Sequence, residues 1–446
     1  MLSNWDIFTD FAVAGGLLLI GKWLRANVIL LQKLYLPAAL IAGMLALAFG
    51  PAGLDLLPWS SAFASNASVL TVMLFASLGL ATDFPSMHTL MRRAGSLWAF
   101  NQIATVSQWA FAAMAGLGLI ALVWPELPPA FGIVMPAGFM GGHGTGVVVG
   151  ETLQGQGWED ALTLALTTAT VGIFASILCG MGLMHLGVKK GWIKNFATFN
   201  ELSFTERRGL IVPSQQQALA RNGVSSVSID VFAMHAAVLL LVTMLGYHGA
   251  KYLSSFHHMV QVPAFVAAFV LGLVARLLMR KSQANRYFDD AIFSHATGSA
   301  TDFLIVFGVG AIKITILMNY ALPIAVLMII GLLFNLFLVL VVAPRILGDN
   351  WFEKAIFSWG WLTGTVGMGI ALLRIADPKM RSKVLDDYAI AYVPGSITDL
   401  IIVSMVPILM MQGMAHIAIG AMWVYVAAVV AIWLLFLGGK NRLATR

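Results

Sequence analysis

Long apolar runs separated by short charged stretches dominate this chain. They lie near Ile7–Ile20, Leu36–Phe49, Ser68–Leu80, Leu97–Val123, Ala161–Leu186, Val231–Gly246, Val260–Leu278, Thr301–Met318, Leu322–Val342, Tyr388–Met411 and Ile417–Leu437. A bilayer core about 30 Å thick takes roughly 20 apolar residues in a helix, so these eleven runs predict membrane-spanning helices. Two further runs have a different texture. Pro129–Gly150 holds Pro136 and a dense set of glycines, and Phe357–Leu373 carries Gly360, Gly364, Gly367 and Gly369. Glycine and proline weaken helices. Irregular backbone at membrane depth occurs where it is buried in protein or lines a cavity. Both runs are therefore expected to be re-entrant, dipping into the membrane and returning.

The positions of the charges favour this arrangement over two extra spans. With eleven spans, two re-entrant segments and the N-terminus outside, every lysine and arginine except Lys251 and Lys313 falls on the inner side. Counting the glycine-rich runs as full spans flips the parity between them and leaves a near-even split. The positive-inside rule selects the first arrangement. No basic residue precedes Lys22, so Met1–Ile20 lacks the basic region of a cleaved signal peptide and reads as a first helix.

Composition removes whole classes of function. Of the 446 residues, 59% are hydrophobic and 10% charged. Soluble domains carry about 25% charged residues, so a soluble enzyme, a disordered chain and a secreted disulfide scaffold are excluded, and no nucleic-acid partner is expected. The net charge of +6 reflects inner loops. Cys179 is the single cysteine, so no intrachain disulfide forms.

The chain also divides. Residues 188–230 form the longest polar stretch and are expected to be a cytoplasmic linker between an N-terminal repeat (1–187, re-entrant 129–150) and a C-terminal repeat (231–412, re-entrant 357–373). Leu36-Pro37-Ala38-Ala39 resembles Val262-Pro263-Ala264-Phe265, and Gly138-Phe139-Met140-Gly141-Gly142 resembles Gly360-Trp361-Leu362-Thr363-Gly364, at similar spacing. Five spans per half is odd, so the second half enters upside down. The expected fold class is an all-α integral membrane protein. It has two inverted-topology repeats, each of five transmembrane helices plus one re-entrant hairpin. An additional C-terminal transmembrane helix and a basic cytoplasmic tail occupy 413–446. Glycine-broken segments at matching places in inverted halves point to a secondary transporter's binding site, with the tips meeting near the midplane.

The run Gly141-Gly142-His143-Gly144-Thr145-Gly146 resembles the signature loop of the bacterial sodium/glutamate symporter family. Phe75-Ala76-Ser77-Leu78-Gly79-Leu80, Gln108 and Ala169-Thr170-Val171-Gly172 agree with it, and Thr363-Gly364-Thr365-Val366-Gly367-Met368-Gly369 resembles its second glycine-rich loop. Asp399 falls where the family carries an acidic residue in its tenth span. The similarity extends to about Met411. Trp359 and Trp361 depart from it, standing where smaller or more polar residues are expected. The resemblance implies a homodimer in the bacterial plasma (inner) membrane, with sodium as coupling ion and no other cofactor. It also implies an acidic amino acid as substrate and an elevator-like or rocking movement of one bundle.

Residue chemistry is compatible with such a cargo. Glycines expose backbone N–H groups, and a helix N-terminus adds a positive dipole end, so Gly141–Gly146 and Thr363–Thr365 suit an anion. Thr145, Thr363 and Thr365 offer hydroxyls. His143 can contact a carboxylate, relay a proton or cap a broken helix, and it lacks partners at metal-ligand spacing. Gln108 and Asn335, mid-helix, serve either as ligand contacts or as interhelical hydrogen bonds. For sodium, which takes oxygen donors as other hard cations do, the candidates are Asp399, Thr398, Ser396, Thr167 and Thr170. A mid-membrane carboxylate is functional by default, the other reading being a structural pair with Lys313. Thr163, Thr167 and Thr170 share one helix face but can also bond their own carbonyls one turn back. Asp10 and Asp302, near helix ends, are expected to be simply hydrated. The reading is a sodium-coupled importer of L-glutamate or a similar acidic amino acid by alternating access. A carrier of another organic anion such as a dicarboxylate, a proton-coupled carrier working through His143, and a non-transporting paralogue remain open.

Overall fold

A computed structural model describes residues 3–34, 36–82, 86, 88, 90–193, 204–216, 218–221, 223–255, 262–377 and 381–437. Part of the expected linker, Lys379 and the basic tail lie outside the described residues. Within them the secondary structure is all helical. The main helices are α1 (Asn4–Asn27), α2 (Ala38–Phe49), α3 (Asn66–Ala81), α4 (Gly95–Leu122), α5 (Val134–Phe139), α6 (Gly142–Gly155) and α7 (Ala161–Lys189). After the linker come α8 (Val231–Ser255), α9 (Ala264–Lys281), α10 (Asp290–Gly310), α11 (Ala321–Phe337), α12 (Trp351–Thr363), α13 (Val366–Ala376), α14 (Val384–Met411) and α15 (Ala415–Ile432).

Among the described residues, nine helices are long and apolar enough to cross a membrane. This departs from the eleven runs in two places. The run beginning at Leu36 forms only the 12-residue α2, about 18 Å long at 1.5 Å per residue. The run beginning at Val260 becomes α9, which carries Arg276, Arg280 and Lys281 in its last turns. A third boundary moves as well: the helix expected from Thr301 starts at Asp290. Asp289 caps it by accepting from the Ala291 N–H. Polar Ser294, Thr297 and Thr301 are tolerated because each hydroxyl bonds a carbonyl one turn back.

The helices gather into two compact units, each drawing on both sides of the linker. The first comprises residues 1–24, 37–83 and 209–311. Small residues let its backbones touch: a Cβ on Gly79 would stand 2.4 Å from the Phe269 carbonyl oxygen, and one on Gly246 would stand 2.6 Å from Ala268 Cα. Pro37 and Pro263, aligned in sequence, take the same place as extended residues preceding α2 and α9, at φ −60° and −62°. Asp10 corrects its expectation. It is fully buried, accepting from the Ser60 N–H (2.8 Å), the Ser60 hydroxyl (2.6 Å) and Asn66 Nδ2 (3.1 Å).

The second unit comprises residues 25–36, 84–208 and 312–446. It holds α4 to α7 and α11 to α15, and with them every candidate site residue. Phe111 of α4 stacks on Phe334 of α11 with ring centroids 4.2 Å apart.

Candidate functional site

Both glycine-rich runs are broken helices, and their breaks are made by different chemistry. In the first, α5 ends at Phe139 and α6 starts at Gly142, with Gly141 at φ +101° and Gly142 at φ +61°. These are left-handed conformations that favour glycine. A side chain on Gly141 would also collide with the Thr145 hydroxyl, 2.1 Å from its Cβ position. In the second, α12 ends at Thr363, and extended Thr365 (φ −145°) opens α13 by accepting from the Met368 N–H at 3.3 Å. A hydroxyl N-cap therefore does in the second run what left-handed glycines do in the first. The helices α12 and α13 fold back in backbone contact: a Cβ on Gly360 would stand 2.3 Å from the Gly369 nitrogen.

The two breaks meet. A Cβ on Gly142 would lie 3.0 Å from Thr365 Cγ2 and 3.4 Å from the Gly364 carbonyl oxygen. Thus the N-terminal turns of α6 and α13 come together, each with amides that lack an intrahelical acceptor. Around Gly144 the space is open, with nothing within 4 Å of its Cβ position. Gly146 closes on α7, 3.2 Å from the Ala165 carbonyl oxygen by the same measure.

Helix α7 touches both runs, a role the sequence reading did not assign it. A Cβ on Gly172 would stand 2.5 Å from the Thr363 carbonyl oxygen and 2.9 Å from the Phe139 ring. Four residues on, the Ser176 hydroxyl donates to the Gly360 carbonyl (3.2 Å), and its own carbonyl accepts from Trp359 Nε1 (2.9 Å). Trp359 is a fully buried packing wedge. The visible signal was the small residues Ala165, Ala169, Gly172 and Ser176, spaced i, i+4, i+7, i+11 on one face of the helix.

His143 is buried, with Nε2 3.0 Å from Thr170 Oγ1. Thr170 gives its one hydrogen to the Leu166 carbonyl, so it accepts from His143 Nε2–H. With the ring neutral, Nδ1 is then the acceptor, and it is buried with no hydrogen-bond partner. Thr167 turns its hydroxyl onto Thr163 of the same helix (2.7 Å), which is the local alternative already visible in the stripe. Thr363 likewise bonds the Trp359 carbonyl at 2.7 Å.

Gln108 bridges α4 to the second run, its Nε2 donating to the Leu362 carbonyl at 3.1 Å while Oε1 is buried without a partner. Asn335 Nδ2 donates to the Gly331 carbonyl within α11 (2.9 Å), again leaving a buried Oδ1 unpaired. Asp399 on α14 has a buried, unpaired Oδ1, and no ion pair to Lys313 occurs among the described residues. Beside it, Ser396 bonds the Val393 carbonyl and Thr398 bonds Tyr425. Among the described residues no hydrogen bond joins this α14 group to Thr167 or Thr170, although α14 packs against α6.

One pattern runs through these side chains. His143 Nδ1, Gln108 Oε1, Asn335 Oδ1 and Asp399 Oδ1 are all acceptors without donors. The donors at the meeting breaks are backbone amides. Buried acceptors of this kind are costly unless a hydrogen-bond donor or a cation meets them.

The nine long apolar helices among the described residues make this a multi-pass integral membrane protein, with two broken segments that meet. The chain belongs to the sodium/glutamate symporter family, whose description matches residues 3–376. It is thereby a transporter-family protein, with sodium as the family's coupling ion. The match covers both broken helices and α7 and stops before Asp399, Thr398, Ser396 and α15. Among curated proteins, none matches the chain.

Proposed function

We propose that this protein imports L-glutamate or a similar acidic amino acid together with sodium, by alternating access, across a bacterial plasma membrane. The observation that carries the reading is the meeting of Gly142 with Thr365. It brings two helix N-termini, each a positive dipole end with free amides, to one place. The first-turn amides, Gly142–Gly144 in one helix and Thr365–Gly367 in the other, receive the carboxylates of the substrate. Unpaired acceptors, among them His143 Nδ1, receive its ammonium group. Asp399, with Thr398 and Ser396, serves sodium, and Thr170 acts through His143.

An inverted-repeat organisation is part of the same proposal, and the make-up of the two units fits it. Each unit takes three or more helices from before the linker and a comparable set from after it, in the same order. On this view the broken helices enter from opposite faces, the N-terminus lies outside, the C-terminus lies inside, and the protein works as a homodimer.

A substrate of net charge −1 needs at least two sodium ions for inward positive current, each net charge gaining about 2.3 kcal/mol per 100 mV. The test is uptake of labelled glutamate into proteoliposomes. Uptake should require sodium and rise with an inside-negative potential. Equal uptake with potassium in place of sodium defeats the sodium claim. Preference for a dicarboxylate over glutamate redirects the substrate.

A further inference from the structure

Helix α15 lies beyond the family match, yet one of its side chains enters the polar group on α14. The Tyr425 hydroxyl stands 2.7 Å from Gln102 Oε1 on α4 and 3.0 Å from Thr398 Oγ1. An amide oxygen only accepts, so Tyr425 spends its single hydrogen on Gln102. Thr398 must then donate in the second bond.

That assignment makes Thr398 unusual in this chain. Thr167, Thr170, Thr243 and Thr301 each turn the hydroxyl hydrogen onto a carbonyl one turn back. Thr398 instead directs its hydrogen away from its own helix. Both lone pairs of its oxygen stay unspent, next in sequence to Asp399, whose Oδ1 is buried and unpaired. Hard cations take such oxygens, whereas a hydroxyl that presents its hydrogen repels them. Gln102 is itself held close, since a Cβ on Gly395 would stand 2.6 Å from its Nε2.

We infer that Tyr425 is a positioning residue for the coupling cation: anchored on Gln102, it takes the Thr398 hydrogen and so presents Thr398 as an oxygen ligand beside Asp399. This rests on the reading that Thr398 and Asp399 serve sodium. Without the tyrosine hydroxyl, Thr398 reverts to the carbonyl of Pro394, one turn back, and its oxygen is re-aimed.

The test is the sodium dependence of thermal unfolding of the purified full-length protein, titrated with sodium chloride against choline chloride. The readout is the sodium midpoint, which a merely structural loss does not move. Tyr425→Phe should raise that midpoint about five- to tenfold, the worth of one such hydrogen bond. Gln102→Leu should raise it similarly. Thr398→Val, which removes the ligand oxygen itself, should raise the midpoint at least as far as Tyr425→Phe, and the double variant should be no weaker than Thr398→Val alone, as expected for residues acting through one path. Thr398→Ser, which keeps the hydroxyl, should behave as wild type. A Tyr425→Phe midpoint equal to wild type, or additive losses in the double variant, overturns the inference while the sodium site stands. A wild-type protein with no sodium-dependent shift removes the sodium site and this inference with it.

Discussion

Gly142 and Thr365 face one another across two helix breaks, with a Cβ position at Gly142 only 3.0 Å from Thr365 Cγ2. Gly142 also sits at φ +61°, where a side chain costs about 1–2 kcal/mol. Gly142→Ala should therefore fold but lose glutamate uptake more than about tenfold, since about 1.4 kcal/mol at the site is one decade. Gly144→Ala separates ligand space from packing, because its methyl meets nothing within 4 Å. Its melting temperature should stay at the wild-type value while apparent substrate affinity falls. Unchanged affinity in transport assays would place Gly144 outside the ligand space.

Asp399 carries the only carboxylate among the candidate sodium ligands, and Asn replaces it at constant shape. Asp399→Asn should abolish uptake or sharply raise the sodium concentration needed for it. The check is uptake rate against external sodium. An unaltered sodium curve would take Asp399 out of the site.

Asp10 belongs to the other compact unit, where it accepts three hydrogen bonds while fully buried. Asp10→Ala strands the Ser60 and Asn66 donors, at a cost of about 2 kcal/mol or more. The expected result is a lower melting temperature with no change in the sodium midpoint. A shifted midpoint at unchanged stability would give Asp10 a transport role.

Asp289 supplies the acid dependence. The Ala291 N–H, and after it the Arg221 N–H, hold its carboxyl below the ordinary aspartate range. A folded-state value lowered in this way contributes stability above the unfolded pKa, and that contribution is lost as pH falls through the folded value. Asp289 is partly exposed, so solvent screens the effect and the contribution is small. Melting temperature followed downward from about pH 4 should fall less steeply for Asp289→Asn than for wild type. Parallel slopes would show that the cap does not titrate with folding.

The charge pattern and the glycine texture were readable along the chain because they need only local physics. Apolar length sets which segments suit a membrane, and Gly141 and Gly142 mark a break since few other residues adopt their backbone angles. Pro37 and Pro263 were visible as a pair, and each stands as an extended residue immediately before a helix. Helix ends were read less well. Asp290–Gly310 begins eleven residues before Thr301 because capping by Asp289 and back-bonded hydroxyls pay for its polar first turns.

What one dimension could not supply was partnership. Thr167 and Thr170 look alike in the sequence stripe, yet it is Thr170 that meets His143, while Thr167 bonds its own helix. Asp10 and Asp302 looked alike near helix ends, and Asp10 alone found buried donors. Tyr425, a lone hydroxyl in the last apolar run, acquired meaning only when Gln102, 323 positions away, came within 2.7 Å. Hydrophobic length and backbone propensity act between neighbours, so the chain carries them openly. Hydrogen bonds have a reach of one atom and fixed direction, so which distant groups share one is decided by packing alone.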